Sequence, residues 1–265
     1  MTSDTTVAQT TPALDLVPLS GRIGAAVADP DLDRLLTDEA ARAELRQALL
    51  DHMVVVLRGL DPTPEQHLDL ARVFGEPLPG EANTGIHPDF PDIVVFDSDG
   101  GYKADRWHTD VTFRPVIPKA AVLCMRINPE VGGDTMWTNC CDAWDELSNG
   151  MKRLLENRRA YHEIVPGHGA EHPVVVTHPE TGRKALFVNE IFTRRIVNLP
   201  PYESDAILPF LIEHVKRPEF TYRHRWATGD VVIWDNRVTQ HYALFDFEGR
   251  RMVHRVGIAG TAPAA

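Results

Sequence analysis

Apolar residues recur along this chain in short runs, rich in Val, Ile, Phe and Trp and bounded by Gly, Pro, Asn or Asp, which is the pattern of strands. Such runs predict strands over Val54 to Leu57, Asp92 to Phe96, Ala120 to Ile127, Thr135 to Thr138, Val174 to Thr177, Lys184 to Val188, Phe220 to Arg225, Asp230 to Trp234 and Met252 to Ala259. Helical spacing is confined to a few segments. Thr37 to Met53 carries Ala41, Leu45 and Leu49 on one face, and Thr63-Pro64-Glu65-Gln66 reads as a capped start of a helix running through Phe74. Two more helices are predicted over Asp142 to Glu156 and Glu203 to Lys216, the second kinked or split by Pro209. His178-Pro179-Glu180-Thr181-Gly182 lies between two strand-like runs and predicts a hairpin. Strands joined by turns rather than by regular helices favour an antiparallel sandwich or jelly roll, mainly β with helices outside it.

Composition narrows the class without changing that picture. The 265 residues are 43% hydrophobic and 25% charged, as in an ordinary globular protein. There is no internal repeat. Residues 1–14, rich in Thr and Ser, read as a flexible tail with neither a basic start nor an apolar run, and residues 15–262 as a single domain. The formal charge of −11 argues against a nucleic-acid partner, which needs clustered Lys and Arg. No run approaches the roughly 20 apolar residues of a membrane span. A cytoplasmic enzyme is expected, and Cys124, Cys140 and Cys141 fit it as buried free thiols rather than a disulfide framework.

Candidate chemistry begins at Trp107-His108-Thr109-Asp110-Val111. In extended chain, positions i and i+2 project to one side, so His108 and Asp110 can face one ion. His241, 131 positions after Asp110, is the candidate third ligand. Two histidines and a carboxylate on one face of a metal form the arrangement of non-haem Fe(II) oxygenases. Alone, a His-x-Asp pair is more often a surface ion pair or a histidine held by a neighbouring carboxylate. Two further features accompany it: Gly132-Gly133-Asp134-Thr135 and the arginine-rich Arg250-Arg251-Met252-Val253-His254-Arg255. Arg251 and Arg255 share a strand face, whereas His254 is out of phase and is expected to face away. Asp235 is a plausible carboxylate partner for a ligating histidine. His168 and His172 have a spacing of four, but the glycine between them and the proline after them argue against a helical metal pair.

Through Trp107 to Phe113, Gly132 to Thr135, Trp234-Asp235-Asn236-Arg237 to His241, and Arg251 to Gly260, in that order, the chain resembles the TauD/TfdA (taurine dioxygenase-like) Fe(II)- and 2-oxoglutarate-dependent dioxygenases. The resemblance implies a double-stranded β-helix, the cupin-like jelly roll, with His108, Asp110 and His241 as iron ligands and O2 as co-reactant. It also implies that Thr135 and Arg251 hold 2-oxoglutarate, and that Arg255, His87 and Phe90 meet a small anionic substrate such as a sulfonate, alkyl sulfate or carboxylate. Hydroxylation would release succinate and CO2. Where the taurine-acting enzyme carries a tyrosine and, near Ala104, an asparagine, this chain has Phe90 and Ala104, so the groups that recognise an amine are missing. Residues 162–172 form a shorter segment than the substrate-covering insertion of many relatives. Other readings stay open: a biosynthetic oxidase of an amino-acid-derived carboxylate, a non-catalytic metal-binding protein on this fold, or a zinc hydrolase. A homo-oligomer, dimer or tetramer, is also open.

Overall fold

Alternation along each strand decides which of two cores its side chains enter. The computed structural model describes residues 13–80, 85–101 and 104–265, so the expected tail lies outside the described residues as far as residue 12. In chain order, β1 (Leu16–Pro18) and β2 (Ala25–Val27) precede α1 (Leu32–Thr37), α2 (Glu39–His52), β3 (Val54–Leu57), α3 (Pro64–Arg72), β4 (Gly85–Ile86), β5 (Val94–Asp97) and β6 (Ala120–Ile127). There follow β7 (Thr135–Asn139), α4 (Cys140–Asp145), α5 (Asn149–Leu155), β8 (Arg159–Val165), β9 (His168–Pro173), β10 (Val175–Thr177), β11 (Lys184–Leu186) and β12 (Thr193–Val197). The last elements are α6 (Pro201–Val215), β13 (Thr221–His224), β14 (Val231–Asp235), β15 (Thr239–Ala243) and β16 (Met252–Ile258).

The largest sheet runs β1-β2-β3-β14-β6-β16-β5-β4, and smaller sheets β13-β7-β15, β12-β8-β9 and β10-β11 accompany it. All named pairings are antiparallel except β2 with β3. On β14, Val232 and Trp234 join the inner core with Trp137 of β7, while Val231 and Ile233 join an outer core with helices α1 to α3. Strand β16 divides the same way: Val253 faces in, and Val256 and Ile258 face the helices. This period of two is what the buried apolar strands predicted.

Local chemistry sets the ends of the helices. Thr63 and Gln66 form the predicted capping box of α3. The helix predicted over Thr37 to Met53 is α2, capped by Asp38 and closed by Met53 in the left-handed region. Asp142 to Glu156 is two helices, because the Ser148 hydroxyl accepts from the Met151 amide and starts a new one. Helix α6 runs unbroken through Pro209. Both Pro209 and Asp205, whose carbonyl loses its usual donor, are exposed, so water can serve it. The 178–182 hairpin forms between β10 and β11. The three thiols are free and buried, and no helix among the described residues is long and apolar enough to cross a membrane.

Three buried histidines load the fold against acid. Burial pushes His67 and His162 down to about 3 and His254 to about 4, against an ordinary value of 6.5. The unfolded chain therefore binds protons that the folded chain refuses. Their contribution to stability is complete above about pH 6.5 and is lost as the pH falls toward these values. In urea unfolding, stability should fall between pH 6 and 4.5 by about 1.4 kcal/mol per pH unit for each such histidine. His67→Gln should remove one share of that slope.

Candidate active site

His241 stands on β15, a strand of Thr, Gln, His, Tyr and Ala whose polar residues face specific partners. Its backbone pairs with that of His108 in both directions, N–H to carbonyl at 3.1 and 2.8 Å. The two imidazole Nε2 atoms lie 3.8 Å (His108) and 3.9 Å (His241) from Asp110 Oδ1, and one ligand atom from each of the three residues falls within 4.8 Å of the others. His108 Nδ1 donates to the Arg106 carbonyl at 2.8 Å, which leaves Nε2 as a bare lone pair facing Asp110. Burial lowers the pKa of both histidines and keeps them neutral. Burial opposes the charge on Asp110, but the Arg255 guanidinium bonded to it outweighs that and holds the carboxyl at about 2. Two neutral imidazoles and one carboxylate make a donor set suited to a divalent transition metal.

The extended run predicted here ends early. Only His108 is bridged to β15; the chain turns at Asp110, and Val111 takes φ 61°, a costly conformation for a β-branched residue. Side chains from the β14–β15 connection fix the turn. The Thr109 hydroxyl donates to the Thr239 carbonyl at 2.8 Å. The Asn236 carboxamide accepts from the Asp110 amide at 2.8 Å and donates to the Asp110 carbonyl at 3.3 Å and the Pro118 carbonyl at 3.0 Å. Asp235 is elsewhere: it bonds His178 Nε2 at 2.9 Å and Arg237, while His241 Nδ1 is buried with no partner among the described residues. The expected carboxylate–histidine pair therefore does not form. A side chain at the end of β14 points to the β10–β11 hairpin rather than to β15.

Arg251 and Arg255 enter one cavity, as their shared strand phase predicted. Arg255 donates to Asp110 Oδ1 at 2.9 Å and lies over the Phe96 ring at 4.8 Å. Arg251 is buried, and it donates through Nε to the Gly133 carbonyl at 2.9 Å and through Nη2 to the Thr135 hydroxyl at 3.4 Å. Gly133 has φ +71°, and a Cβ there would meet Arg251 Cδ at 3.1 Å, so this approach needs glycine. Thr135 Oγ1 also accepts from the Trp226 indole at 3.0 Å; its oxygen serves two donors, leaving its own hydrogen to give away. Burial lowers the Arg251 guanidinium to about 10, and no carboxylate among the described residues forms an ion pair with it. Asp134, the acid whose charge acts on it, is paired with Arg223 at 2.7 Å.

The cavity measures about 640 Å³ including its open mouth, and its apolar wall includes Phe96, Leu123, Phe245, Phe247 and Val253. Ala104 lines it; His87 and Phe90 do not. The His87 ring lies 5.4 Å from that of His254, the out-of-phase residue of β16, and Phe90 packs on the outer core. Both are therefore on the helix side of the large sheet, one strand layer from the metal-binding group. Residues 168–173 form β9, where His172 Nε2 bonds the Thr112 and Arg114 carbonyls at 2.9 and 3.0 Å and His168 is exposed, so they are no metal pair. The short segment 162–172 is the hairpin of β8 and β9. Asn236, Trp226, Phe245 and Phe247 were not singled out from sequence; the alternating Phe245-Asp246-Phe247 was the available signal for the last two.

Comparison with known proteins agrees with this geometry. The family model for taurine catabolism dioxygenase TauD, TfdA family, matches residues 15–256. An alkylsulfatase of Acinetobacter baylyi is 37% identical over 94% of this chain and 86% of its own length. An alpha-ketoglutarate-dependent sulfate ester dioxygenase of Pseudomonas putida is 36% identical over 94% and 91%. Among solved structures, a taurine dioxygenase from Burkholderia xenovorans superposes with a TM-score of 0.88 at 38% identity, covering 95% of this chain and 91% of that one. AAD-2 in complex with Mn(II) and N-oxalylglycine superposes with a TM-score of 0.80 at 25% identity, covering 96% and 100%.

The double acceptor role of Thr135 can be checked without any ligand. Thr135→Val leaves the Trp226 N–H buried and unpaired, and should cost about 1–3 kcal/mol in chemical denaturation. A cost near zero would mean that the indole has another acceptor.

Proposed function

Because the chain belongs to the taurine catabolism dioxygenase TauD, TfdA family, we propose that His108, Asp110 and His241 hold Fe(II), that Thr135 and Arg251 hold 2-oxoglutarate, and that Arg255 receives the anionic group of the substrate. Residues 15–262 serve as one dioxygenase domain in this reading. The carrying observation is a buried guanidinium that lacks a carboxylate partner among the described residues, set beside a free hydroxyl donor in the cavity that holds the two-histidine, one-carboxylate group. A zinc hydrolase has no use for that arrangement. N-oxalylglycine, bound by the similar AAD-2, differs from 2-oxoglutarate by NH in place of one CH2 and carries the same two acids.

When bound, iron and 2-oxoglutarate supply the oxidation: with O2, the keto acid becomes succinate and CO2, and one oxygen atom enters a substrate C–H bond. The chain's own residues place the reactants. Arg251 offers a planar fork to a carboxylate, with the Thr135 hydroxyl beside it as a further donor. Asp110 stays ionised through the physiological range, and both histidines stay neutral, so the ligand set needs no proton removed before it binds metal. Phe245, Phe247, Phe96 and Leu123 exclude water from the rest of the cavity and suit an apolar tail.

An anionic head with an apolar tail describes alkyl sulfates, and the similarity to an alkylsulfatase and a sulfate ester dioxygenase supports that class first. Hydroxylation at the carbon bearing the ester oxygen gives an unstable product that separates into an aldehyde, sulfate and a proton. Ala104, where an amine-binding amide is absent, favours such a substrate over taurine.

With Fe(II), 2-oxoglutarate and O2, the protein should form succinate on addition of a medium-chain alkyl sulfate, with sulfate and aldehyde in equal amounts, and less with taurine. Asp110→Ala should abolish turnover. Arg251→Met should raise the KM for 2-oxoglutarate by about 30-fold or more, the equivalent of roughly 2 kcal/mol for one lost buried charge partner. Absence of succinate across sulfates, sulfonates and aryloxy acids, in folded protein, would sink the proposal.

A further inference from the structure

Asp110 is not carried by a strand, yet its carboxylate must meet two histidines that are joined to each other by backbone pairing. The ladder between residues 106–110 and β15 has only one bridge, His108 with His241. Beyond it the chain bends, and Val111 holds φ 61°. Such a bend persists only where its surroundings over-determine it. Bonds to Thr109 and Thr112 hold the residues on either side of it, and one side chain holds the Asp110 peptide groups themselves. The Asn236 carboxamide faces the Asp110 backbone and bonds both its N–H and its C=O, as the backbone of a neighbouring strand would, and a third bond to the Pro118 carbonyl fixes the amide plane. Asn236 is 0% exposed and sits in the turn five residues before His241. The turn is itself braced, since Asp235 accepts from the Arg237 amide and guanidinium, and Arg237 reaches Glu180 at 2.7 Å.

We infer that Asn236 is the positioning residue of the ligand group: its carboxamide replaces the missing rung of the ladder and sets the distance of the Asp110 carboxylate from His108 and His241. This rests on the reading of those three residues as metal ligands. The requirement is chemically narrow. The residue must accept from an N–H and donate to a C=O at once, on adjacent positions, from a side chain short enough to fit the turn. Asparagine does so with one planar group. Aspartate lacks the donor, serine cannot span both groups, and glutamine adds a methylene to a space with no solvent access. Thr109 ties the same segment through its hydroxyl to the Thr239 carbonyl, but it holds the residue before Asp110 and leaves the Asp110 peptide groups untouched.

The test uses Mn(II) alone, followed by the loss of the free-ion signal in electron paramagnetic resonance, so no turnover is involved. Wild-type protein should bind. Asn236→Ala should bind at least tenfold more weakly, the usual scale for losing a partner that orients a ligand. Thr138→Val removes a comparable buried hydrogen bond, from Thr138 Oγ1 to the Val215 carbonyl at 2.7 Å, away from the ligands. It should lower thermal stability and leave Mn(II) affinity unchanged. If Asn236→Ala does not fold, Asn236→Ser, which keeps a single polar contact, should show the same loss of affinity. Either folded variant with wild-type affinity overturns the role of Asn236 while leaving the metal site intact. Failure of the wild-type protein to bind Mn(II) overturns the metal reading itself.

Discussion

A charge enclosed in protein must find a counter-charge or a dense set of hydrogen bonds, and this constraint organises the cavity. Charges of both signs sit in and beside it among apolar wall residues. Asp110 is compensated by Arg255 at 2.9 Å. Arg251 is treated differently. It has one backbone carbonyl and one hydroxyl for company, and its guanidinium is pushed down to about 10 by burial. A protein that only needed stability there would do better with an apolar side chain of similar size. The arrangement makes sense as a socket for a carboxylate brought from outside.

Strand phase sets which side chains reach this socket. On and just before β16, residues 251, 253 and 255 face the cavity, while 254, 256 and 258 face the helices. Because the side-chain period is two, a slip of one residue would exchange both arginines for His254 and its neighbours. The register is held on both sides, by β6 and by β5. The opposite wall comes from β7 and β15, paired with each other from Thr135↔Ala243 to Asn139↔Thr239, so Thr135 and His241 share one small sheet. The residues proposed to hold cosubstrate and metal are thus placed by facing sheets of the jelly roll.

How much of this the sequence disclosed depended on whether a residue was buried for packing or for chemistry. Apolar strands such as β3, β6, β14 and β16 were legible because alternation or continuous burial leaves a mark in Val, Ile and Ala. Strands β8, β9, β12 and β15 left none. Their buried positions hold His162, His172, Thr193, Gln240 and His241, polar groups that are stable there only through particular partners, such as Gln240 with the Val188 carbonyl at 2.6 Å. Partners distant in sequence cannot be read from a pattern. The same limit explains the site. The His-x-Asp motif, the strand phase and the family resemblance together pointed to His108, Asp110, His241, Thr135, Arg251 and Arg255, which the structure gathers in and beside one cavity. The resemblance also implied His87 and Phe90, which lie against His254 and the outer core, and general metal-site chemistry suggested Asp235 as a histidine's partner, whereas it bonds His178.

The positions of the two arginines also bear on what the cavity accepts. They lie four positions apart on extended chain, roughly 13 Å along the strand, and their guanidiniums have different partners. One is backed by Thr135 and has no ionic partner among the described residues; the other lies against Asp110 and the Phe96 ring. A molecule with two acids, one beside a keto group, matches the first position, and a monoanion with an apolar body matches the second. The proposed metal ligands lie beside the second, so in the proposed reaction the oxidised carbon of such a substrate would be close to its anionic head. That geometry favours attack next to the ester oxygen over attack at the far end of a chain, and it leaves the aromatic wall to set how long the chain can be.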